Sequence, residues 1–296
     1  MRILVTGSNG LLGQKLVAGL LKDNHIVCGL DLQESSYLEY SSIEYQKVNI
    51  TSRRETSDRV KNWKPEVIVH CAAMTAVDAC ETEREMCWKV NVDGTENICI
   101  AASKVEAKVI YISTDYVFDG ESGPYSEEDT PNPGGYYAKS KLAGENVVRG
   151  SGNNPTVIRS IVIYGFGKNI KSSFVTWLVG ELRSGRKVRI VDDQWGNSTI
   201  ADDLANAIGR LIKLEKHGLY HMGGSSFITR FEMATRIARF FELDESLITP
   251  ITTAELKQPA KRPLRSGLLI NKAESELSYN FLDLEQSLQL YKSCEQ

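Results

Sequence analysis

The chain has 296 residues, of which 42% are hydrophobic, 25% are charged and 8% are aromatic, and its formal net charge is −3. This composition is typical of a globular protein and excludes collagen-like, low-complexity and wholly disordered chains. The balance of acidic and basic residues gives no electrostatic support to a nucleic-acid or membrane-surface partner.

Cysteine and histidine spacing adds two expectations. The six cysteines form no CxxC pair, and the four histidines have no metal-ligand spacing, so we expect a reducing compartment and no metal site. The N-terminus begins directly with strand-like sequence, and the chain contains no run of 18 apolar residues. We therefore expect a soluble, cytoplasmic protein.

Short apolar runs alternate with helical patterns over the first 165 residues. Strands are predicted at Arg2–Thr6, His25–Asp31, Val67–Ala73, Lys108–Phe118 and Thr156–Tyr164, and helices from Leu12 to Leu21, over Glu81–Lys104 and over Tyr137–Arg149. Strands that alternate with helices predict right-handed βαβ units and a parallel sheet covered on both faces. The expected fold class is therefore α/β, a Rossmann-type doubly wound parallel sheet.

The pattern becomes mixed beyond about residue 165. Helices are predicted at Ile170–Ser184, Ile200–Glu215, Arg230–Glu242 and Asp283–Lys292, and strands at Val188–Val191 and Leu219–Met222. We expect two domains, 1–165 and a smaller mixed α/β C-terminal region, 166–296, part of which returns to pack on the first.

A glycine-rich turn separates the first strand from the first helix. Gly7, Gly10 and Gly13 permit a tight turn and let a pyrophosphate approach the N–H groups at a helix N-terminus. Asp31 ends the second strand, where its carboxylate can accept hydrogen bonds from ribose hydroxyls. Neither 7–13 nor 31–40 contains Lys or Arg, so the pattern favours NADH over NADPH, with NADPH still possible. The alternative is a plain strand–helix turn beside an exposed acid.

Tyr137 and Lys141 stand four residues apart on one predicted helix and therefore share a face. An ammonium group beside a phenol favours the phenolate, so we expect Lys141 to lower the pKa of Tyr137. Thr114 ends a predicted strand at the same edge of the sheet, where its hydroxyl can bind a substrate carbonyl. A YxxxK pattern by itself is common by chance.

These features resemble the extended short-chain dehydrogenase/reductase family, which is also matched by the NVDGTEN stretch at Asn91–Asn97. Five stretches are similar to its dTDP-4-dehydrorhamnose reductase branch: Ala72–Asp78, Ser113–Gly120, Tyr137–Glu145, Asp193–Thr199 and Arg262–Leu268. The resemblance implies NAD(P)H-dependent reduction of the C4 keto group of a deoxysugar nucleotide, with dTDP-4-dehydrorhamnose converted to dTDP-L-rhamnose. It also implies that 1–165 binds NAD(P), that 166–296 binds the nucleotide sugar, and that a homodimer is possible.

The resemblance assigns roles residue by residue. Tyr137 would be the general acid, Lys141 would orient the nicotinamide ribose, and Thr114 would polarise the carbonyl. The implied cofactor-binding residues are Gly7, Asn9, Gly10, Leu11, Leu12, Gly13, Asp31, Asn49, Ile50, Cys71, Ala72, Ala73, Thr75, Asn91, Ser113, Tyr137 and Lys141. The implied substrate-binding residues are Thr75, Val77, Asp78, Thr114, Asp115, Tyr116, Trp195 and Arg265.

Three departures from the branch leave alternatives open. The run Arg159–Val162 lacks the expected tryptophan platform for the sugar, Ser198 replaces a proline, and Asn49 replaces an acid near the adenine. A 4,6-dehydratase is disfavoured because Tyr116 stands where such enzymes carry a carboxylic acid. An epimerase uses the same Tyr and Lys, and a non-catalytic regulatory subunit resembling methionine adenosyltransferase β has similar YVFDG and YxxxK stretches.

Overall fold

The computed structural model describes residues 1–152 and 154–295. The strands are β1 Arg2–Thr6, β2 Ile26–Asp31, β3 Glu44–Lys47, β4 Val67–His70, β5 Lys108–Thr114, β6 Thr156–Ser160, β7 Ile163–Tyr164, β8 Val188–Val191, β9 Trp195–Gly196, β10 Thr199–Ile200, β11 Gly218–His221, β12 Ile228–Thr229 and β13 Ile248–Ile251. The helices are α1 Leu11–Lys22, α2 Arg53–Trp63, α3 Val77–Thr82, α4 Arg84–Trp88, α5 Gly94–Ser103, α6 Tyr136–Gly150, α7 Phe174–Arg183, α8 Ala201–Lys213, α9 Arg230–Phe240, α10 Thr253–Leu256, α11 Asn271–Leu277 and α12 Leu284–Cys294. A π-helical segment, Lys89–Asp93, and 3₁₀ turns at Asp115–Val117 and Glu245–Leu247 complete the elements.

Seven strands form one sheet in the order β11-β6-β5-β4-β1-β2-β3, and all neighbouring strands are parallel. The predicted Rossmann-type α/β fold is therefore confirmed. The chain passes from β1 to β2 on one side, whereas β4 pairs with β1 on the other. In such sheets ligands bind in the crevice at the carboxyl ends of the strands where the order reverses, which here are β1 and β4.

Alternation along the strands covers both faces of the sheet. Ile3 and Val5 of β1 face the core formed with α1, α8 and α11, whereas Leu4 faces the core formed with α2, α5 and α6. A third core lies in the C-terminal part, where α7, α9 and α12 pack around the parallel pair β8–β13. Within the described residues, no helix is long and apolar enough to span a membrane.

The predicted helix Glu81–Lys104 is interrupted, which the periodicity did not indicate. α3, α4, the π-helical segment Lys89–Asp93 and α5 follow one another. The wide π turn accompanies a buried amide: Asn91 Nδ2 donates to the carbonyl oxygen of Met74 at 3.1 Å and to Ser140 Oγ at 2.9 Å. Insertions of this kind are frequent at functional sites, and here the amide links α6 to the loop after β4.

Several predicted strands end earlier than expected. The predictions Val67–Ala73, Lys108–Phe118 and Thr156–Tyr164 end as strands at His70, Thr114 and Ser160. The last of these breaks because Val162 has a positive φ of 34°, after which β7 pairs with β10 instead. The elements that were not predicted include β3, α2, β9, β10, β12, β13, α10 and α11. Residues that follow the early ends of β4, β5 and β6 line the crevice at this edge of the sheet: Cys71–Ala73, Asp115–Tyr116 and Val162–Ile163.

Candidate active site

A cleft with a volume of about 510 Å³ opens at the carboxyl ends of β1, β4, β5 and β6. Most of the predicted site residues line it: Gly7, Gly10, Leu11, Leu12, Gly13, Asp31, Cys71, Ala72, Ala73, Thr75, Val77, Ser113, Thr114, Asp115, Tyr116, Tyr137 and Lys141. The lining also includes Ile112, Ser160, Val162 and Ile163, which the site prediction omitted. Ser160 could have been predicted, because it pairs in register with Thr114 at the same edge of the sheet.

The glycine-rich turn forms one end of the cleft. Gly7 has a φ of +67°, and a Cβ there would lie 2.7 Å from the backbone nitrogen of Ala72. A Cβ at Gly13 would lie 2.1 Å from the carbonyl oxygen of Gly7. Gly10 precedes α1 and provides no side-chain cap for its N-terminus. The backbone is thus bare where a helix N-terminus meets the cleft, which fits the pyrophosphate of a dinucleotide.

Asp31 lies at the same end and is held in place by backbone donors. Its Oδ2 accepts from the Asn9 amide at 2.9 Å, and its Oδ1 accepts from the Leu32 amide at 2.7 Å. Asn9 itself points away from the cleft: its Nδ2 donates to the Ser35 carbonyl at 3.0 Å and its Oδ1 accepts from the Tyr37 amide at 2.9 Å. Asn9 therefore positions Asp31 and the loop that follows it.

Thr114, Tyr137 and Lys141 meet at the other end of the cleft. Thr114 ends β5, and its hydroxyl donates to Asp115 Oδ1 at 3.1 Å. Tyr137 and Lys141 lie on the first turns of α6. Lys141 Nζ is buried, donates to the Ile112 carbonyl at 2.7 Å, and lies 4.0 Å from the centre of the Tyr111 ring. A proton donor, a hydroxyl and an amine are therefore brought together from two elements.

The electrostatics differ from the prediction for this pair. Burial raises the pKa of Tyr137 well above its usual range, and the neighbouring Thr114 hydroxyl opposes this only in part. Burial lowers the pKa of Lys141 to about 7, against the opposing charge of Glu145. The prediction that Lys141 lowers the pKa of Tyr137 is wrong in this structure, because desolvation dominates and the amine is directed at the Ile112 carbonyl.

A buried ion pair lies directly behind these residues. Glu145 follows Lys141 by one helical turn, and its oxygens accept from Arg159 Nε at 3.0 Å and from Nη2 at 2.8 Å. Ser113 Oγ donates to the same carboxylate at 2.5 Å. The pair joins α6 to β5 and β6, and so fixes the helix that carries Tyr137. Sequence reasoning did not identify it, although an arginine in an otherwise apolar strand run was the available signal.

Three predicted cofactor residues besides Asn9 lie outside the cleft lining. Asn91 Oδ1 accepts from the Met74 amide at 2.8 Å, and so supports the loop after β4 from behind. Asn49 is exposed and accepts from the Thr51 amide at 3.0 Å, just before α2. Ile50 is buried, and its side chain is the nearest group to Gly94.

Three predicted substrate residues also lie outside it. Asp78 accepts from both Nη atoms of Arg262 at 2.9 Å, and this contact lowers the pKa of the carboxyl group. Its carboxylate therefore ties α3 to the segment after α10. Trp195 and Arg265 pair as a β-bridge, with the guanidinium 5.2 Å from the indole, and they line a separate open cleft of about 500 Å³.

A side chamber adjoins the main cleft behind Asp115 and Tyr116. Its polar lining includes Gln194, Ser198, Arg230 and Ser266. The remaining lining residues are 161–162, 195–196, 228–229, 233 and 263. Asp115 is buried there, where the Ser266 hydroxyl and the Thr114 hydroxyl both donate to it. Burial raises its pKa to about 7 despite these donors. The chamber thus places a titratable acid next to Thr114.

Comparison with known proteins decides the family. The family described as RmlD substrate binding domain matches residues 1–293. The chain belongs to this family. A dTDP-4-dehydrorhamnose reductase from Clostridium acetobutylicum superposes with a TM-score of 0.89 and is 32% identical, with 100% of this chain and 99% of that chain covered. A Bacillus anthracis dTDP-4-dehydrorhamnose reductase, solved in complex with NADP, superposes with a TM-score of 0.89 and is 29% identical, with 99% of this chain and 98% of that chain covered.

A third relative has a different name. Methionine adenosyltransferase 2 subunit beta from Bos taurus is 32% identical over 280 residues, which cover 93% of this chain and 82% of that protein. The family match and the reductase structures confirm three predictions: membership of the extended short-chain dehydrogenase/reductases, an oxidoreductase of the dTDP-4-dehydrorhamnose reductase type, and a nicotinamide dinucleotide cofactor.

Proposed function

We propose that this protein uses NADH to reduce the C4 keto group of a deoxysugar nucleotide, with dTDP-4-dehydrorhamnose as the first substrate to test. The observation that carries the proposal is one continuous cleft that joins the bare glycine turn and Asp31 to Thr114, Tyr137 and Lys141. The identity to two dTDP-4-dehydrorhamnose reductases supports the choice of substrate.

We assign the two ligands to different parts of the chain. Residues 1–165 bind the dinucleotide, with the pyrophosphate on the glycine turn and the adenosine ribose on Asp31. Residues 166–296 bind the nucleotide sugar. The described loop that follows Asp31 carries no cation before Lys47. A 2′-phosphate would therefore face the Asp31 carboxylate without a compensating charge, and NADH is the preferred cofactor.

The chain's own residues supply the acid chemistry. When bound, the nicotinamide supplies the hydride that reduces a carbonyl carbon. The Tyr137 hydroxyl donates its proton to the carbonyl oxygen, and its high pKa keeps that proton in place until negative charge develops on the oxygen. The Thr114 hydroxyl hydrogen-bonds the same oxygen and fixes its position beside Tyr137.

The test is NADH oxidation, followed by absorbance, with dTDP-4-keto-6-deoxy-L-mannose generated in situ. The wild type should turn over, and Tyr137→Phe should lose about 10²–10⁴-fold in kcat while still binding NADH. Tyr136→Phe is the matched control, because this neighbouring tyrosine does not line the cleft. Turnover by Tyr137→Phe at the wild-type rate would remove Tyr137 from the mechanism.

A regulatory role is the second candidate, favoured by the 32% identity to methionine adenosyltransferase 2 subunit beta. In that case the cleft binds the dinucleotide without turning over a sugar. Two measurements separate the candidates. If the protein is inactive with a panel of keto sugars and co-elutes with a methionine adenosyltransferase catalytic subunit on a sizing column, the regulatory role replaces the reductase. An epimerase would instead interconvert sugar isomers without net NADH oxidation.

A further inference from the structure

Arg230 is a partly buried cation that forms no ion pair within the described part of the chain. It is the first residue of α9 and lines the side chamber. Its Nη1 lies 3.5 Å from Ser198 Oγ and 3.9 Å from the Met233 sulfur, and its guanidinium lies 4.7 Å from the centre of the Phe174 ring. Among the residues that the structure describes, no carboxylate forms an ion pair with it. Within the described residues, the five N–H donors of the guanidinium therefore have two weak acceptors, one hydroxyl and one sulfur.

Other arginines near the cleft are treated differently. Arg159 is paired with Glu145 at 2.8 Å, and Arg262 is paired with Asp78 at 2.9 Å. Both contacts are bidentate and join separate elements of the fold, which accounts for the two cations in structural terms. Arg230 joins nothing in this way. A desolvated charge without a partner is costly, so a ligand is the natural source of the missing acceptor.

Asp115 lines the same chamber and interacts electrostatically with Arg230, but the two form no ion pair among the described residues. Its carboxyl oxygens already accept from the Thr114 and Ser266 hydroxyls. Tyr116 is the other titratable group that faces the guanidinium, and it is a neutral phenol. Neither residue offers Arg230 the two free oxygens of a carboxylate.

The chamber's size and position limit what the ligand group can be. The chamber shares Asp115, Tyr116 and Val162 with the main cleft, so a substrate in that cleft can extend into it. Its volume of about 30 Å³ is room for roughly two water-sized groups. Two oxygens of a carboxylate or phosphate group, on a ligand held in the main cleft, can reach into this space, whereas a base or a sugar ring does not fit.

We propose that Arg230 binds an oxyanion of the nucleotide sugar at the side chamber, and so acts as a specificity-determining residue for the substrate. This inference rests on the proposed function. Two groups of a nucleotide sugar can supply this oxyanion: a phosphate of the diphosphate bridge, or a carboxylate on the sugar. Ser198 Oγ and the amide of Gln194 line the chamber beside it and offer further hydrogen bonds.

Calorimetric titration of the full chain, saturated with NADH, tests the proposal. The ligands are dTDP, dTDP-glucose and dTDP-glucuronate, since the two sugar nucleotides differ only by a carboxylate at C6. Arg230→Gln should weaken at least one of these ligands by about tenfold or more, as expected for the loss of a charged hydrogen bond. Arg230→Lys should retain part of the affinity, because it keeps the charge but loses the fork.

Arg239→Gln is the matched control, since this exposed arginine lies on the same helix and should leave all affinities unchanged. An equal loss for all three ligands assigns Arg230 to the diphosphate, and a loss confined to dTDP-glucuronate assigns it to a sugar carboxylate. Wild-type affinity of Arg230→Gln for every ligand overturns the inference and leaves the reductase proposal standing. If the wild type binds NADH but none of the three ligands, the nucleotide-sugar proposal itself fails.

Discussion

The two walls of the cleft treat buried polar groups in opposite ways. On the sheet wall, Glu145 has Arg159 and Ser113 as partners, and His70 lies between Thr6 Oγ1 at 2.7 Å and Thr95 Oγ1 at 3.1 Å. On the chamber wall, burial raises the pKa of Asp115 to about 7, and Arg230 has no carboxylate among the described residues. The chain itself supplies partners for Glu145 and His70 on the sheet wall, whereas Arg230 on the chamber wall retains unused hydrogen-bonding capacity for a ligand.

The largest expected effect comes from removing the partner of a buried charge on the sheet wall. Arg159→Met removes the partner of Glu145, whose side chain is fully buried. An uncompensated buried carboxylate costs about 3–5 kcal/mol in the free energy of unfolding, which urea denaturation at pH 7 would measure. Arg54→Met is the control, since Arg54 faces Asp58 at 3.7 Å on the exposed surface, and its midpoint should not move.

The double variant Arg159→Met/Glu145→Leu separates the pair from its surroundings. Replacement of both ions by apolar groups of similar size should recover most of the lost stability. If the single variant unfolds at the wild-type midpoint, the ion pair does not complete the sheet wall.

The two walls should also respond to pH with opposite signs. Burial lowers the pKa of His70 to about 3. Below pH 6.5 the unfolded chain therefore binds a proton that the folded chain does not, and stability decreases as the pH is lowered. Asp115 has a raised pKa, so between about pH 4 and 7 the folded chain binds the extra proton and stability falls as pH rises. His70→Gln should reduce the gain in unfolding free energy from pH 5 to pH 7 by about 1–2 kcal/mol, and Asp115→Asn should increase it similarly.

Urea denaturation at the two pH values measures both changes, with the exposed His217→Gln as the control. A shift of the same sign in His70→Gln and Asp115→Asn would contradict the assignment of opposite proton uptake to the two walls.

The smallest expected effect concerns the adenosine end of the cleft. Asp31→Ser removes the carboxylate that would face a 2′-phosphate, and kcat/KM for NADPH relative to NADH should rise by about tenfold. Glu34→Ser is the matched control, because it removes a charge from the same loop that is already paired with Lys47. If Glu34→Ser changes the ratio as much as Asp31→Ser does, the general charge of the loop and not Asp31 decides the preference.

Most of the fold followed from hydrophobic periodicity, which is strong where strands are buried on both faces. β1, β4 and β5 are continuous apolar runs, and their order and the glycine turn located the cleft. β3 and α2 were missed because they carry few apolar residues: β3 reads EYQK, and only three residues of α2 are buried. Their apolar contribution is too small to produce a periodic signal.

The site was predictable where it depends on chain position, and unpredictable where it depends on contacts across the fold. Residues at strand ends fell into the cleft as expected, because parallel strands end at one edge. The pairing of Asp78 with Arg262 joins residues 184 positions apart, and no local pattern indicates it. The pKa of Tyr137 was predicted in the wrong direction because the argument counted a neighbouring charge and omitted the desolvation that only the folded structure reveals.

The position of β11 has a consequence for synthesis on the ribosome. This strand, Gly218–His221, is an edge strand that pairs with β6. It is also the last strand of the central sheet in chain order, so the ribosome makes it last. While the nascent chain lacks it, β6 presents an unpaired edge, and exposed strand edges promote association between chains. The sheet is therefore vulnerable for much of translation, and a ribosome that stalls before codon 218 would release a chain with an open edge beside Ser160, at the cleft itself.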